Sequence, residues 1–236
     1  MIKEALEYLN AKFLASAQLI EAHDCDYSAV QLNLIKAPMA TPLTIHSLQG
    51  LADYLLSGDL ATEASDAFIH VVQPDKVNLV MPLTGGTRQR EHIIQVELLQ
   101  SVFQFGQYMG QEEFITKVQS QFMPTKEREA LLKVAGSITA EAVTIAEDDG
   151  ITQRATARVG IARQATIGLP NPVTLRPYRT FTEIEQPESL FVFRMRAPAT
   201  LALFEADGGA WRNKAIRDIA FWLSEALKQK SITIIA

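Results

Sequence analysis

Seven arginines and no lysine lie between residues 143 and 196, in a chain that is acidic elsewhere. They are Arg154, Arg158, Arg163, Arg176, Arg179, Arg194 and Arg196, and Tyr178, Phe181 and Phe191 are close to them in sequence. A guanidinium is planar, stays charged at neutral pH and binds a carboxylate or phosphate through two parallel hydrogen bonds. The segment alternates like β-structure, so we predict that these arginines lie on a sheet that is presented to another molecule, which the sequence does not specify.

Three interpretations of these arginines remain open. Arginines among aromatic residues are typical of surfaces that hold single-stranded nucleic acid, because phosphates bind the guanidinium and bases stack on the rings. The arginines could also pair with carboxylates of a neighbouring copy, or form a solvated sheet face. Residues 1–150 carry a formal charge of −10, residues 151–197 carry +4 and residues 198–236 carry +1. This uneven charge favours a contact between copies, with nucleic acid as the less favoured partner.

Histidine, cysteine and glycine spacings do not predict catalysis. Cys25 lacks basic neighbours that would favour its thiolate. The Thr84-Gly85-Gly86-Thr87 segment departs from the GxxxxGK[ST] pattern of a phosphate-binding loop. The histidines are separated by 22 to 24 residues, whereas metal ligands on one helix or strand face are two to four residues apart; they are His23, His46, His70 and His92. We therefore predict no catalytic residue, no metal and no cofactor.

The densest acidic positions are Glu147-Asp148-Asp149 and the pair Glu205 and Asp207. If the fold joined these two groups, their carboxylates could bind Mg²⁺, which prefers oxygen ligands. Aspartate next to glycine is also expected at the tip of a hairpin for turn geometry alone. The turn interpretation is favoured, and a Mg²⁺-dependent enzyme is the weakest alternative.

The composition is that of a globular protein, with 236 residues, 47% hydrophobic, 21% charged and one cysteine. A single cysteine rules out a disulfide within the chain and fits a reducing cytosol. The first residues lack the basic start and apolar run of a signal peptide, and no apolar stretch approaches the ~20 residues that span a bilayer. These features predict a cytoplasmic protein with no membrane partner.

The first 43 residues are predicted to form a helical arm. Leu6, Leu9 and Phe13 recur at three- and four-residue steps, which predicts a helix over residues 2–22. The sequence VQLNLI then alternates like a short strand, and Pro38 and Pro42 indicate an irregular linker. We expect this arm to dock on a neighbouring copy.

Residues 44–236 are predicted to form one main domain. A helix capped by Ser47 precedes three strands in an antiparallel meander, DAFIHVVQ, KVNLVMPL and REHIIQVELL. Helices are predicted at 112–122, 126–138 and 212–229, and the closing SITIIA should pair into a sheet because an apolar terminal strand is rarely left loose. Asp148-Asp149-Gly150 predicts the turn of a long hairpin over 143–160. The fold class is therefore α+β, a mainly antiparallel sheet packed by helices, with an N-terminal helical arm and a long β-hairpin.

The order of these elements resembles the YfdQ-like family of prophage-encoded proteins. The segments that carry the resemblance are MGQEEFITKVQSQF, ITAEAVTIAEDDGITQRATARVG and NPVTLRPYRTFTEIEQPESLFVFRMR, and it covers most of residues 44–236. The family has no known function, so the resemblance implies a phage or prophage origin and supplies no catalytic residue.

These observations predict a non-enzymatic phage or prophage protein that assembles with itself into a ring or shell, in a structural or interaction role. Closed symmetric assembly is the common outcome for complementary surfaces on one chain. The partners expected are further copies, and possible partners are another phage or host protein. The alternative is a single-stranded nucleic-acid-binding accessory protein of phage replication or recombination.

Overall fold

A computed structural model describes residues 2–16, 19–28, 34–35, 38–57, 66–83, 88–99, 102–138, 156–159, 163–166, 169–196 and 198–236. In this part of the chain the elements, in order, are α1 (Ile2–Ser16), β1 (Leu19–Ala22), β2 (Cys25–Ser28), β3 (Leu34–Ile35), β4 (Leu43–Ile45), α2 (Leu48–Ser57), β5 (Phe68–Gln73), β6 (Lys76–Val80), β7 (His92–Glu97), β8 (Met109–Gly110), α3 (Gln111–Gln121), α4 (Lys126–Ser137), β9 (Thr156–Val159), β10 (Arg163–Thr166), β11 (Val173–Leu175), β12 (Ser189–Arg196), β13 (Thr200–Glu205), α5 (Ala210–Ala226) and β14 (Thr233–Ile235). Helices and mainly antiparallel sheets confirm the predicted α+β class. None of the helices described is long and apolar enough to cross a membrane.

The arm differs from its prediction after Ser16. Instead of continuing as a helix to residue 22, the chain forms β1, which pairs antiparallel with β2, and β2 pairs with β3. The turn between β1 and β2 is His23-Asp24, with φ of 54° and 58°. A two-residue hairpin of this kind needs positive φ at both turn positions, and aspartate adopts that conformation more easily than most residues. The predicted helix is present, but it ends at Ser16, before β1 begins at Leu19.

A five-stranded sheet in the order β14-β5-β6-β7-β4 forms the first layer. Its centre is the predicted antiparallel meander of β5, β6 and β7, which is confirmed. The predicted pairing of the closing strand is also confirmed, since β14 pairs parallel to β5, and β4 pairs parallel to β7 at the opposite edge. Helices α2 and α5 cover one face, and the fully buried aliphatic side chains of this core include Leu48, Leu51, Ile69, Leu79 and Ile94.

A four-stranded antiparallel sheet in the order β11-β12-β13-β8 forms the second layer. Helices α3 and α4 pack on one face of it around a cluster of buried aromatic rings, Phe103, Phe114, Phe122, Phe191 and Phe193. Thr125 begins α4, because its hydroxyl oxygen accepts a hydrogen bond from the backbone N–H of Arg128 at 3.1 Å. The strand that precedes Pro177, β11, lies at the edge of this sheet, a position that tolerates proline.

The segment between β11 and β12 connects the two cores. The hydroxyl of Thr180 donates to the backbone carbonyl of Pro74 in the β5–β6 turn at 2.5 Å. The next residue, Phe181, is fully buried and belongs to the first core, together with Ile184. An irregular stretch with no periodicity therefore fixes the second layer to the first.

The long hairpin predicted over 143–160 lies mostly outside the described residues, as does its turn at residues 148–150. The hairpin seen here is later in the chain, where β9 pairs antiparallel with β10 from Thr156 opposite Thr166 to Val159 opposite Arg163.

Candidate functional site

The seven arginines do not share one surface. Arg154 lies outside the described residues, and only the backbone of Arg158 in β9 and of Arg163 in β10 is described. The other four lie in or beside the second sheet and differ in exposure and in partners. Tyr178 is half-buried beside them, and its backbone N–H donates to the carbonyl of Gln121 at the end of α3 at 2.8 Å.

Arg179 is buried, with a side chain that is 1% exposed. Its Nη1 donates to Glu205 Oε1 at 2.8 Å, and its Nη2 donates to the hydroxyl oxygen of Ser189. The guanidinium also lies over the ring of Trp211, with its carbon 3.7 Å from the ring centroid. Burial lowers the pKa of Arg179 to about 10, opposed by the nearby carboxylates of Glu205 and Asp207. The side chain remains charged at neutral pH but is not free to meet another molecule.

The same network organises the start of α5. Ser189 donates to Asp207 Oδ2 at 2.8 Å, and the other oxygen of Asp207 accepts from the backbone N–H of Gly209 at 3.0 Å. Burial alone would raise the pKa of Asp207, but these hydrogen bonds, a third from the backbone of Trp211 and the charge of Arg179 hold that pKa below its ordinary value. The Asp207-Gly208-Gly209 turn therefore positions the helix as well as closing β13.

Glu205 collects three donors. Besides Arg179, the indole N–H of Trp211 donates to Oε1 at 2.9 Å, and Arg212 reaches Oε2 at 3.4 Å. The two acidic residues that the sequence offered as half of a Mg²⁺ site are thus both engaged, and Glu147, Asp148 and Asp149 lie outside the described residues. Within the described part of the chain, no three His, Cys, Asp or Glu side chains are grouped to hold a metal ion.

Arg176 is also compensated within the chain. Its Nη1 lies 2.5 Å from Glu185 Oε1 and its Nη2 lies 3.5 Å from Glu188 Oε2, both in the segment that connects the two cores. The arginine side chain is 32% exposed, so these ion pairs stand at the surface and contribute little to stability. Because of these ion pairs, the charge of Arg176 is matched by carboxylates of its own chain.

Arg194 and Arg196 differ from these two, because neither forms an ion pair with any residue that the structure describes. Both project from the outer face of β12, opposite to the buried Phe193 and Met195. The guanidinium carbon of Arg196 lies 4.0 Å from the ring centroid of Tyr108, which in turn packs edge-on against Phe204 at 6.0 Å. Arg194 is half-buried, and its Nη1 is buried without a hydrogen-bond partner. We call Leu190, Val192, Arg194 and Arg196 the β12 outer face.

A carboxylate-rich surface lies on the arm. Glu21 in β1 is directly opposite Asp26 in β2, and Asp24 occupies the turn between them. All three side chains are exposed, and none forms an ion pair with a described residue. Like charges directly opposite each other on a hairpin are destabilising. We call Glu21, Asp24 and Asp26 the acidic hairpin.

Two open clefts lie on either side of Trp211. One, of about 490 Å³, is formed by the β5–β6 turn together with Arg179, Arg212 and Asn213. The other, of about 510 Å³, is formed by Glu188, Leu190 and the first turns of α5. The second cleft also contains Ser189 and Asp207, whose side chains hydrogen bond at 2.8 Å, but the Ser189 hydroxyl is buried and accepts from Arg179, so it is held within the network at the start of α5.

Comparison with known proteins finds no match to a family model, to a curated protein or to a solved structure.

Sequence reasoning missed two features of this region. The ion pair of Arg179 with Glu205 joins residues 26 positions apart, and the segment around Arg179 has no periodicity that predicts burial. The acidic hairpin was hidden because residues 19–22 continue the spacing of the preceding helix. The presence of three acids and no lysine or arginine over residues 19–28 was the signal available for it.

Proposed function

We propose that this protein is a non-enzymatic, self-assembling protein of phage or prophage origin, in which the N-terminal arm joins neighbouring copies. The observation that carries the proposal is α1. Residues 2–12 of this helix are all exposed, and so are its large apolar side chains, with Ile2 80%, Leu6 61% and Leu9 61% exposed. Isolated helices of about 15 residues are marginal in water, so α1 gains stability from a partner that covers this stripe.

The occupant that fits this stripe is α1 of a second copy. Ile2, Leu6 and Leu9 follow the four- and three-residue steps of a heptad, the pattern with which helices pack against each other. Two lysines and two glutamates balance the charge of α1, so pairing of two such helices brings no net repulsion. A heptad seam of this length is short, which makes a second contact between copies necessary for a stable particle.

The test compares the full chain with a variant in which Leu6 and Leu9 are both changed to Glu, by light scattering after gel filtration at micromolar concentration. We expect the wild-type mass to exceed that of one chain and the variant mass to fall by a factor of at least two. The matched control changes Glu7 and Ala11, on the side of α1 away from the leucines, to Lys and Glu, and should leave the mass unchanged. Equal masses for wild type and the leucine variant would show that α1 does not join the copies.

A second candidate function is single-stranded nucleic-acid binding, which is favoured by the two uncompensated arginines beside Tyr108 and Phe204. Against it, the ring of Tyr108 is already covered by Arg196 and packed by Phe204, whereas base stacking needs an open ring face. The formal charge of −5 also provides no general attraction for a polyanion. A salt-dependent affinity for oligo-dT that is lost on changing Arg194 and Arg196 to Ala would favour this function.

A further inference from the structure

The β12 outer face is a cationic sheet surface whose charge is not matched within the described part of the chain. Arg176 and Arg179 each contact a carboxylate of their own chain, whereas Arg194 and Arg196 do not. Arginines two residues apart on a strand project from the same face, with Cα atoms about 7 Å apart. The two guanidinium groups in this arrangement can bind a surface that presents two or more carboxylates close together.

Tyr108 and Phe204 keep part of this surface in place. Because Arg196 lies over Tyr108 and Tyr108 packs against Phe204, the Arg196 side chain is ordered before any partner arrives. An ordered side chain loses less conformational entropy on binding than a free one. Arg194 is half-buried and its Nη1 is closed to a partner, so an incoming carboxylate would meet only the exposed part of this side chain.

The acidic hairpin has the complementary properties. Opposed positions on an antiparallel hairpin are about 5 Å apart, so Glu21 and Asp26 repel each other until a cation lies between them. Asp24 adds a third carboxylate at the turn. The other side of the hairpin carries Ile20, Cys25 and Tyr27, so the carboxylates form one distinct face.

Resting on the proposed self-assembly, we propose that the acidic hairpin of one copy docks on the β12 outer face of a second copy. Arg194 and Arg196 of one copy form ion pairs with Glu21, Asp24 and Asp26 of the other, and the exposed Leu190 packs beside them. Because the two surfaces are different, the contact is head-to-tail, and repeated contacts of this kind close into a ring or continue as a filament. Neighbouring copies are then joined by two contacts, the pairing of their α1 helices and this ionic contact.

The experiment is a charge swap in the full chain. One variant carries Arg194→Glu and Arg196→Glu, the other carries Glu21→Lys and Asp26→Lys, and masses are measured by light scattering in low salt, alone and after mixing. We expect each variant alone to lose at least half of the wild-type mass, and the equimolar mixture to regain a mass above that of either variant. The control is Lys214→Glu with Arg217→Glu on α5, which reverses the same number of charges elsewhere and should keep the wild-type mass.

The outcomes separate this proposal from the self-assembly on which it rests. If the wild type is larger than one chain and both charge variants keep its mass, or if the mixture fails to recover, the docking of the hairpin is wrong and self-assembly stands. A single-chain mass for the wild type overturns self-assembly itself. If Arg194→Glu with Arg196→Glu abolishes binding to oligo-dT while leaving the mass unchanged, the β12 outer face binds nucleic acid and the proposal is overturned.

If circular dichroism shows that charge reversal unfolds the chain, the variant Arg194→Gln with Arg196→Gln repeats the test with a smaller expected loss of mass.

Discussion

Arg179 Nη1 lies 2.8 Å from Glu205 Oε1, and this ion pair places a cation inside the protein where the second sheet meets α5. Burying a guanidinium is costly unless its charge is matched and its donors are used, and here Glu205, Ser189 and the ring of Trp211 supply the match. This ion pair explains why Arg179, although it lies in the arginine-rich segment, is not on the surface of the protein. It also makes Arg179 a structural residue, which separates it from Arg194 and Arg196.

Changing Arg179 to Ala should lower the free energy of unfolding by about 3 kcal/mol. Removing one member of a buried pair costs roughly 3–5 kcal/mol, and the lower end applies because Glu205 keeps part of its carboxylate in water. Urea unfolding followed by circular dichroism measures the change. The control is Arg217→Ala on the exposed side of α5, which should alter stability by less than about 0.5 kcal/mol. If the two substitutions changed the free energy of unfolding equally, the buried ion pair would contribute no more to stability than an exposed arginine.

Stability should fall on acidification partly through Asp207. Its pKa is held below the ordinary value in the folded state, so the unfolded chain binds a proton more readily. The contribution of Asp207 is therefore complete above the unfolded pKa of about 3.9 and is lost as the pH falls through the lower folded pKa. In urea titrations, the difference between wild type and Asp207→Asn should be largest above about pH 5 and shrink towards pH 2. A difference that stays constant over this range would contradict the role of the carboxylate charge.

Thr125→Ala should destabilise the protein by about 1 kcal/mol, because the threonine hydroxyl satisfies the otherwise unpaired backbone N–H of Arg128 at the start of α4. Thermal unfolding followed by circular dichroism measures this loss of stability. The comparison is Ser120→Ala in α3, where the hydroxyl donates to the carbonyl of Thr116 within the helix and its loss should be neutral or slightly stabilising. A neutral Thr125→Ala would mean that water replaces the cap without cost.

Phe122→Ala should cost about 3–5 kcal/mol, since this side chain is 1% exposed and its ring lies 5.1 Å from that of Phe103. Phe221→Ala provides a control of identical chemistry, because Phe221 is 69% exposed on α5 and its loss should change the unfolding free energy by less than about 0.5 kcal/mol. Chemical denaturation distinguishes the two. A loss of oligomer mass in the Phe221 variant would identify that residue as part of a contact between copies.

The predictable parts of this fold are those governed by local patterns. Alternation placed β5, β6 and β7 correctly, and it indicated β-structure in the arginine-containing segment, where β12 lies. A hydroxyl cap located the start of α2, where Ser47 accepts a hydrogen bond from the backbone N–H of Gly50. These features depend on a few neighbouring residues, which is why the sequence indicates them.

The parts that could not be predicted depend on distant pairing. The parallel positions of β4 and β14 join strands far apart in sequence. The burial of Arg179 requires Glu205 and Trp211, which lie on other elements. The strand β1 was wrongly predicted as the end of a helix, because the turn that follows it contains no glycine. The family resemblance, the phage origin and the self-assembly stay predictions.

The mass of the native particle tests the central claim most directly. One chain has a mass of 26.1 kDa. Native mass spectrometry of the full chain, sprayed from low ionic strength at about 10 μM, should give an integer multiple of that mass, and light scattering on the same sample should show the mass falling as salt screens the ionic contact. A mass of 26.1 kDa under these conditions, with no larger species, would contradict self-assembly.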